Sequence, residues 1–147
     1  RAQGFAQVAP VKGVEGFNRS SPVSGPTFFD ATEGGKRLRR GARPVAELDQ
    51  APAENWCRPA VDKLFRSAAA AYGGGVLAII LTGMGHDGRE GARALAAKGA
   101  PILAQDEASS VVWGMPGAVV TAGLASQVAS IGSLGQVAWK LASGATA

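Results

Sequence analysis

From Pro59 onward the hydrophobic positions recur at spacings that identify their elements. Val61, Leu64, Phe65, Ala68 and Tyr72 fall on one face of a helix, which Pro59 suits as a first-turn residue and Gly73-Gly74-Gly75 ends. Val76 to Leu81 is an unbroken apolar run of strand length, the pattern of a parallel strand buried on both faces. The loop Thr82 to Gly88 leads into a helix over Arg89 to Lys98 that buries Ala92, Leu95 and Ala96 and stops at Gly99. Pro101 to Gln105 reads as a second strand and Asp106 to Ser110 as a polar turn. Pro116 begins a short helix within Val111 to Ala122. Ser133 is placed as the cap of a last helix, with Leu134, Val137, Ala138 and Leu141 on its inner face. This order predicts an α/β domain, doubly wound around a mostly parallel sheet and incomplete on its N-terminal side.

The start of the chain lacks such order. Gly, Pro, Ser and Asn interrupt residues 1–33, as in Ser20-Ser21-Pro22-Val23-Ser24-Gly25-Pro26, so an irregular or disordered leader is expected there. Residues 34–147 form the expected folded unit. Weak alternation through Leu38, Val45 and Leu48 predicts an edge strand pair over 36–50. A length of 147 residues accommodates one ordinary domain, and 46% hydrophobic with 18% charged residues marks a globular chain. No apolar run approaches the ~20 residues of a membrane span, which argues against membrane insertion. One cysteine, Cys57, excludes an internal disulfide, and with a single histidine, His86, it argues against a metal site. A reduced, cytoplasmic setting is the expectation. The net charge of +4 is concentrated early, with the run Lys36-Arg37-Leu38-Arg39-Arg40 at its densest. No aromatic residues interleave with these cations as a stacking platform requires, so they read as a solvated basic segment without a nucleic-acid partner.

The candidate chemistry lies in Thr82-Gly83-Met84-Gly85-His86-Asp87-Gly88, at the carboxyl end of the buried strand, where open α/β sheets gather their ligands. Three readings fit these residues. Gly83-x-Gly85-x-x-Gly88, followed by Asp106, matches a dinucleotide-binding fingerprint, although Asp87 would then set a carboxylate beside the pyrophosphate. Alternatively, Asp87 is the acidic member of a Ser-His-Asp triad, with the Met84 amide as an oxyanion donor. In the third reading, Asp87 only caps a helix.

Three motifs together point beyond the spacing. Leu81-Thr-Gly-Met-Gly-x-Asp-Gly88, Ala104-Gln-Asp-Glu-x-Ser-Ser-Val-Val-Trp-Gly-Met-Pro116 and Arg58-Pro-Ala-Val-Asp-Lys-Leu-Phe-Arg-Ser67 resemble the C-terminal part of the chemotaxis protein-glutamate methylesterase family, the CheB-type catalytic domains. The resemblance runs from about Arg58 to the C-terminus. It implies a Rossmann-like doubly wound fold and hydrolysis of glutamate methyl esters on chemoreceptors, with deamidation of receptor glutamines. Methyl-accepting chemoreceptors would be the protein partners, and no cofactor or metal is implied. It also implies that Asp87 is the triad aspartate and that Met84 contributes the oxyanion N–H. Ser109, Ser110, Trp113 and Met115, within the second motif, are candidates for substrate binding. Capping is the competing role for the two serines, and core packing for Trp113 and Met115.

The other two triad members are not found by this reading. Ser20, Ser21 and Ser24 follow no apolar strand that would present them, and His86 is expected to be an exposed loop residue, since adjacent side chains seldom converge. The chain is therefore expected to be a methylesterase fragment lacking nucleophile and base, inactive alone. A receptor- or kinase-binding remnant without turnover is the non-enzymatic alternative. Cys57 reads as inert, Arg58 and Asp62 as an exposed pair across one helical turn, and the half-sheet as an edge through which copies associate.

Overall fold

The computed structural model describes residues 51–142 continuously, preceded by the backbone of four strands at 6–10, 29–30, 35–39 and 45–49. In chain order the elements are β1 (Ala6–Pro10), β2 (Phe29–Asp30), β3 (Gly35–Arg39), β4 (Val45–Asp49), α1 (Val61–Tyr72), β5 (Val76–Ile80), α2 (Arg89–Ala96), β6 (Ile102–Gln105), α3 (Met115–Thr121), β7 (Gln127–Ala129) and α4 (Ile131–Ala142). A five-stranded sheet has the order β2-β1-β5-β6-β7, and β3 and β4 form a separate hairpin. Pairing is parallel from β5 to β6 and from β6 to β7, and antiparallel where β1 meets β5 and β2. The predicted α/β architecture with a parallel sheet is present.

Alternation along β5 divides the core. Val76, Ala78 and Ile80 point to one face, where they pack with Leu64, Phe65 and Ala68 of α1, Ala92 and Leu95 of α2, and Met115 and Val119 of α3. Leu77 and Ile79 point to the other face and meet Leu103 and Leu134, with Val137 and Ala138 of α4 half-buried beside them. All five residues of β5 are buried, as the unbroken apolar run predicts. The close approach of α1 and α2 requires Gly91, where a Cβ would lie 2.6 Å from Phe65 Cβ and 2.9 Å from the Asp62 carbonyl oxygen.

Three expectations change. The stretch 1–33 contains β1 and β2, because the open edge of β5 offers a row of unpaired backbone groups that Ala6–Pro10 satisfies from Ile80 back to Val76; the rest of that leader lies outside the described residues. β7 was not expected: Gln127 and Val128 are exposed, so this strand is held by its ladder to β6 and has no hydrophobic alternation to announce it. The last helix begins at Ile131, and Ser130 precedes it: the Ser130 carbonyl accepts from Leu134 N–H, and its Oγ lies 3.4 Å from Ser133 N. Ser133 is thus inside the first turn, and Leu141 falls where no side chain is described. The strand pair expected over 36–50 is present as β3 and β4, but as a separate two-stranded sheet and not at an edge of the main one.

Candidate active site

The loop between β5 and α2 is shaped by its contacts with the segment before α3. Gly83 N–H donates to the Val112 carbonyl at 3.0 Å, and the Gly83 carbonyl accepts from Gly114 and Met115 N–H at 3.1 and 2.8 Å. Gly114 permits this contact: a Cβ there would sit 2.7 Å from both Gly83 O and Gly85 N. Gln105, 1% exposed, is the second organiser. Its Oε1 accepts from Thr82 N–H at 2.8 Å, and its Nε2 donates to Ser109 O at 2.6 Å. Its carbonyl accepts from Trp113 Nε1 at 3.0 Å. One buried amide therefore ties the end of β5 to the turn after β6, satisfying its own polar atoms as it does so. Met84, at the tip of the loop, is exposed, and its N–H donates to no described residue.

Asp87 turns inward from this loop and is 5% exposed. Its Oδ2 accepts from Val61 N–H at 2.7 Å. Its Oδ1 accepts from Asp62 N–H at 3.1 Å, Gly88 N–H at 3.0 Å and Asn55 Nδ2 at 3.0 Å. The first two of these amides open α1, whose N-cap, Ala60, has no side-chain oxygen to offer. Asp87 thus caps α1 across space, with its charge at the positive end of that helix. Asp62 returns the contact: its Oδ1 accepts from Gly91 N–H in the first turn of α2 at 2.6 Å. Its Oδ2 accepts from Asn55 Nδ2 at 2.7 Å. Two helices therefore exchange carboxylate caps, and Asn55 bridges the two carboxylates.

Asp62 is 2% exposed, which corrects the expected surface pairing with Arg58. Val61, Leu64, Phe65 and Ala68 mark the buried stripe, and position 62 lies within it, three residues before Phe65; the periodicity held that signal. Asn55, in the irregular stretch before the helix, carried none.

The other candidates divide. Ser109 and Ser110 bind within their own turn: Ser109 Oγ donates to Asp106 Oδ1 at 2.6 Å, and Ser110 Oγ donates to the Asp106 carbonyl at 2.7 Å. Met115 is 4% exposed and belongs to the core. Trp113 packs on Gly117 and lines an open groove of about 660 Å³ between α2 and α3, with Arg89 and Arg93 on its rim. His86 is exposed and makes no hydrogen bond to Asp87, as expected. Cys57 is half-buried; burial first, and then the Asp87 charge, raise its thiol pKa above the ordinary value, consistent with an inert thiol. Glu54 is held below the usual carboxylate range by its hydrogen bond to Arg66. Among the described residues no group of His, Cys, Asp and Glu could hold a metal ion.

The dinucleotide reading does not survive this geometry. Asp87 and Asp62 already take the Gly88 and Gly91 amides that a pyrophosphate would use, and Asp106 is engaged by Ser109. Parallel strands with crossover helices, and a glycine loop holding a buried carboxylate at their C-terminal ends, define an open α/β domain of the doubly wound class. A family model for CheB methylesterase matches residues 28–137, and the chain belongs to that family. A protein-glutamate methylesterase/protein-glutamine glutaminase of Maricaulis maris is 63% identical over 90 residues, which are 61% of this chain and 22% of the relative. A relative of the same name from Caulobacter vibrioides is 56% identical over 99 residues, 67% of this chain and 28% of its own length. The CheB methylesterase catalytic domain of Thermotoga maritima superimposes with a TM-score of 0.65 at 32% identity, covering 78% of this chain and 57% of that one. The chain spans about a quarter of the length of the curated relatives it matches.

Proposed function

We propose that the chain is the C-terminal portion of a cytoplasmic protein-glutamate methylesterase acting on chemoreceptors, with Asp87 as the aspartate of its Ser-His-Asp triad. The observation that carries this reading is the asymmetric occupancy of the carboxylate. Among the described residues, Oδ1 accepts three N–H donors and Oδ2 only one, so Oδ2 keeps a lone pair for an imidazole N–H while four donors hold the anion in place. Such an aspartate orients the imidazole and stabilises the imidazolium that forms when the nucleophile loses its proton. The Met84 amide, which donates to no described residue and lies at the tip of the same loop, is suited to an oxyanion. The one histidine, His86, does not reach Asp87, so in this reading the base comes from a segment supplied elsewhere. The absence, among the described residues, of a helix long and apolar enough to cross a membrane is compatible with the cytoplasmic assignment. Self-association through the β7 edge belongs to the same proposal.

A chimera tests it. Residues 51–142 replace the matching segment of the Maricaulis maris relative, and methanol release from methylated chemoreceptors is followed. The expected result is measurable turnover that falls on the order of 10⁴-fold with Asp87→Asn; a folded Asp87→Asn chimera with full turnover would overturn the assignment. The 147-residue chain alone is expected to release methanol no faster than buffer. A chain that bound receptors while its chimera never turned over would favour the remnant reading.

A further inference from the structure

Resting on that reading of Asp87, we infer that Asn55 is a positioning residue for the catalytic carboxylate. Asn55 and Trp56 form the two-residue turn of a tight hairpin, closed by Glu54 N–H to Cys57 O at 3.0 Å and Cys57 N–H to Glu54 O at 2.8 Å. Both turn residues have left-handed backbones, φ 52° for Asn55 and 63° for Trp56. A tryptophan in that region costs on the order of 1–2 kcal/mol, and Trp56, fully exposed, recovers none of it by burial. The turn is therefore not explained by what Trp56 packs against. What it achieves is the placement of one side-chain amide.

Asn55 Nδ2 stands 3.0 Å from Asp87 Oδ1 and 2.7 Å from Asp62 Oδ2. Two buried carboxylates in one pocket repel, and the amide supplies a single donor shared between them. Among the described residues, the charged and titratable groups facing the pair are Cys57, close enough for Asp87 to act on its thiol, and Arg66, whose cation feels both aspartates and is itself paired with Glu54. Asn55 also adds a donor to Oδ1, the oxygen that takes the Asp62 and Gly88 amides, leaving Oδ2 as the oxygen for the imidazole. It touches neither substrate nor reacting atoms; its effect passes through Asp87.

Asn55→Gly is the decisive variant, because glycine adopts φ 52° freely and the hairpin backbone is retained while the amide is lost. Asn55→Asp keeps the shape and replaces the donor with an acceptor. In the 147-residue chain, the NMR signals of the Val61, Asp62 and Gly88 amides, which bond Asp87, are expected to shift in both variants. In the chimera, kcat should fall at least tenfold with KM unchanged. Amide signals that match the wild type would overturn the inference, as would a loss carried by KM instead of kcat. The amide signals are read without ester, so they report the bridge even if the chimera lacks turnover. In that event the methylesterase reading fails, and the bridge stands or falls on the NMR result.

Discussion

Asp87 holds together segments distant in sequence, because the donors it satisfies lie at Asn55, at the first two residues of α1, and at its own Gly88. Asp87→Ala would leave three of these inside the protein without an acceptor. A loss of roughly 3 kcal/mol is expected, read as a lower urea midpoint at unchanged m. Cys57 reports on the same charge. Removing the anion with Asp87→Asn should lower the thiol pKa, so alkylation at a fixed pH near 8 should be faster than in the wild type once matched for folding. Glu54 offers a test against pH. Its folded pKa is depressed by Arg66, so the pair stabilises above the unfolded glutamate pKa of about 4.3 and is lost as pH falls through the lower folded value. Side-chain exposures of 43% for Arg66 and 32% for Glu54 keep the effect small. Glu54→Gln is expected to lower Tm by about 1–3 °C at pH 7 and by nothing measurable near pH 2.5.

At the level of elements, the site exists because α1 and α2 start side by side. Their N-termini are capped by each other's loop or first turn, so neither helix offers a free end to solvent or to a phosphate. Gly91 sets the separation. Gly91→Ala places a Cβ against Phe65 and the Asp62 backbone, which cannot yield as a flexible side chain would. A destabilisation of about 1–3 kcal/mol is expected despite alanine's better helix propensity, together with a weakened Asp62–Gly91 hydrogen bond visible as faster amide exchange at Gly91. A variant as stable as the wild type would show that the helices part without cost.

Across the whole molecule, the sheet is covered by α1, α2 and α3 on one face and by α4 on the other, while β7 at one edge is short and largely exposed. Val128 on that strand, and Ile131 and Trp139 on the following helix, are among the large apolar residues left in solvent. Association of the chain is expected to depend on concentration in sedimentation velocity and to weaken with Val128→Lys, because an edge lysine disfavours strand addition. A concentration-independent monomer would count against the self-association proposed above.

Much of the element order was legible because it depends on local period: the stripe of α1, the apolar run of β5 and the proline that opens α3 are each written within a dozen residues. The three motifs likewise carried the family. Less legible were β7, whose exposed residues have no alternation, and the strands before residue 31, which depend on partners far along the chain. Asp62 sat on the buried stripe yet read as a surface charge, because its compensating donors come from Asn55 and Gly91.

By itself, the sequence determined the four helices and the two central parallel strands β5 and β6, and that a glycine loop ending in Asp87 follows the buried strand. Tertiary structure alone decided that this carboxylate faces inward onto another helix, that a second aspartate answers it, and that one asparagine joins the two. The reason is physical. Periodicity records which face of an element avoids water, whereas the partners of a buried polar group are chosen by three-dimensional proximity, which no local pattern encodes.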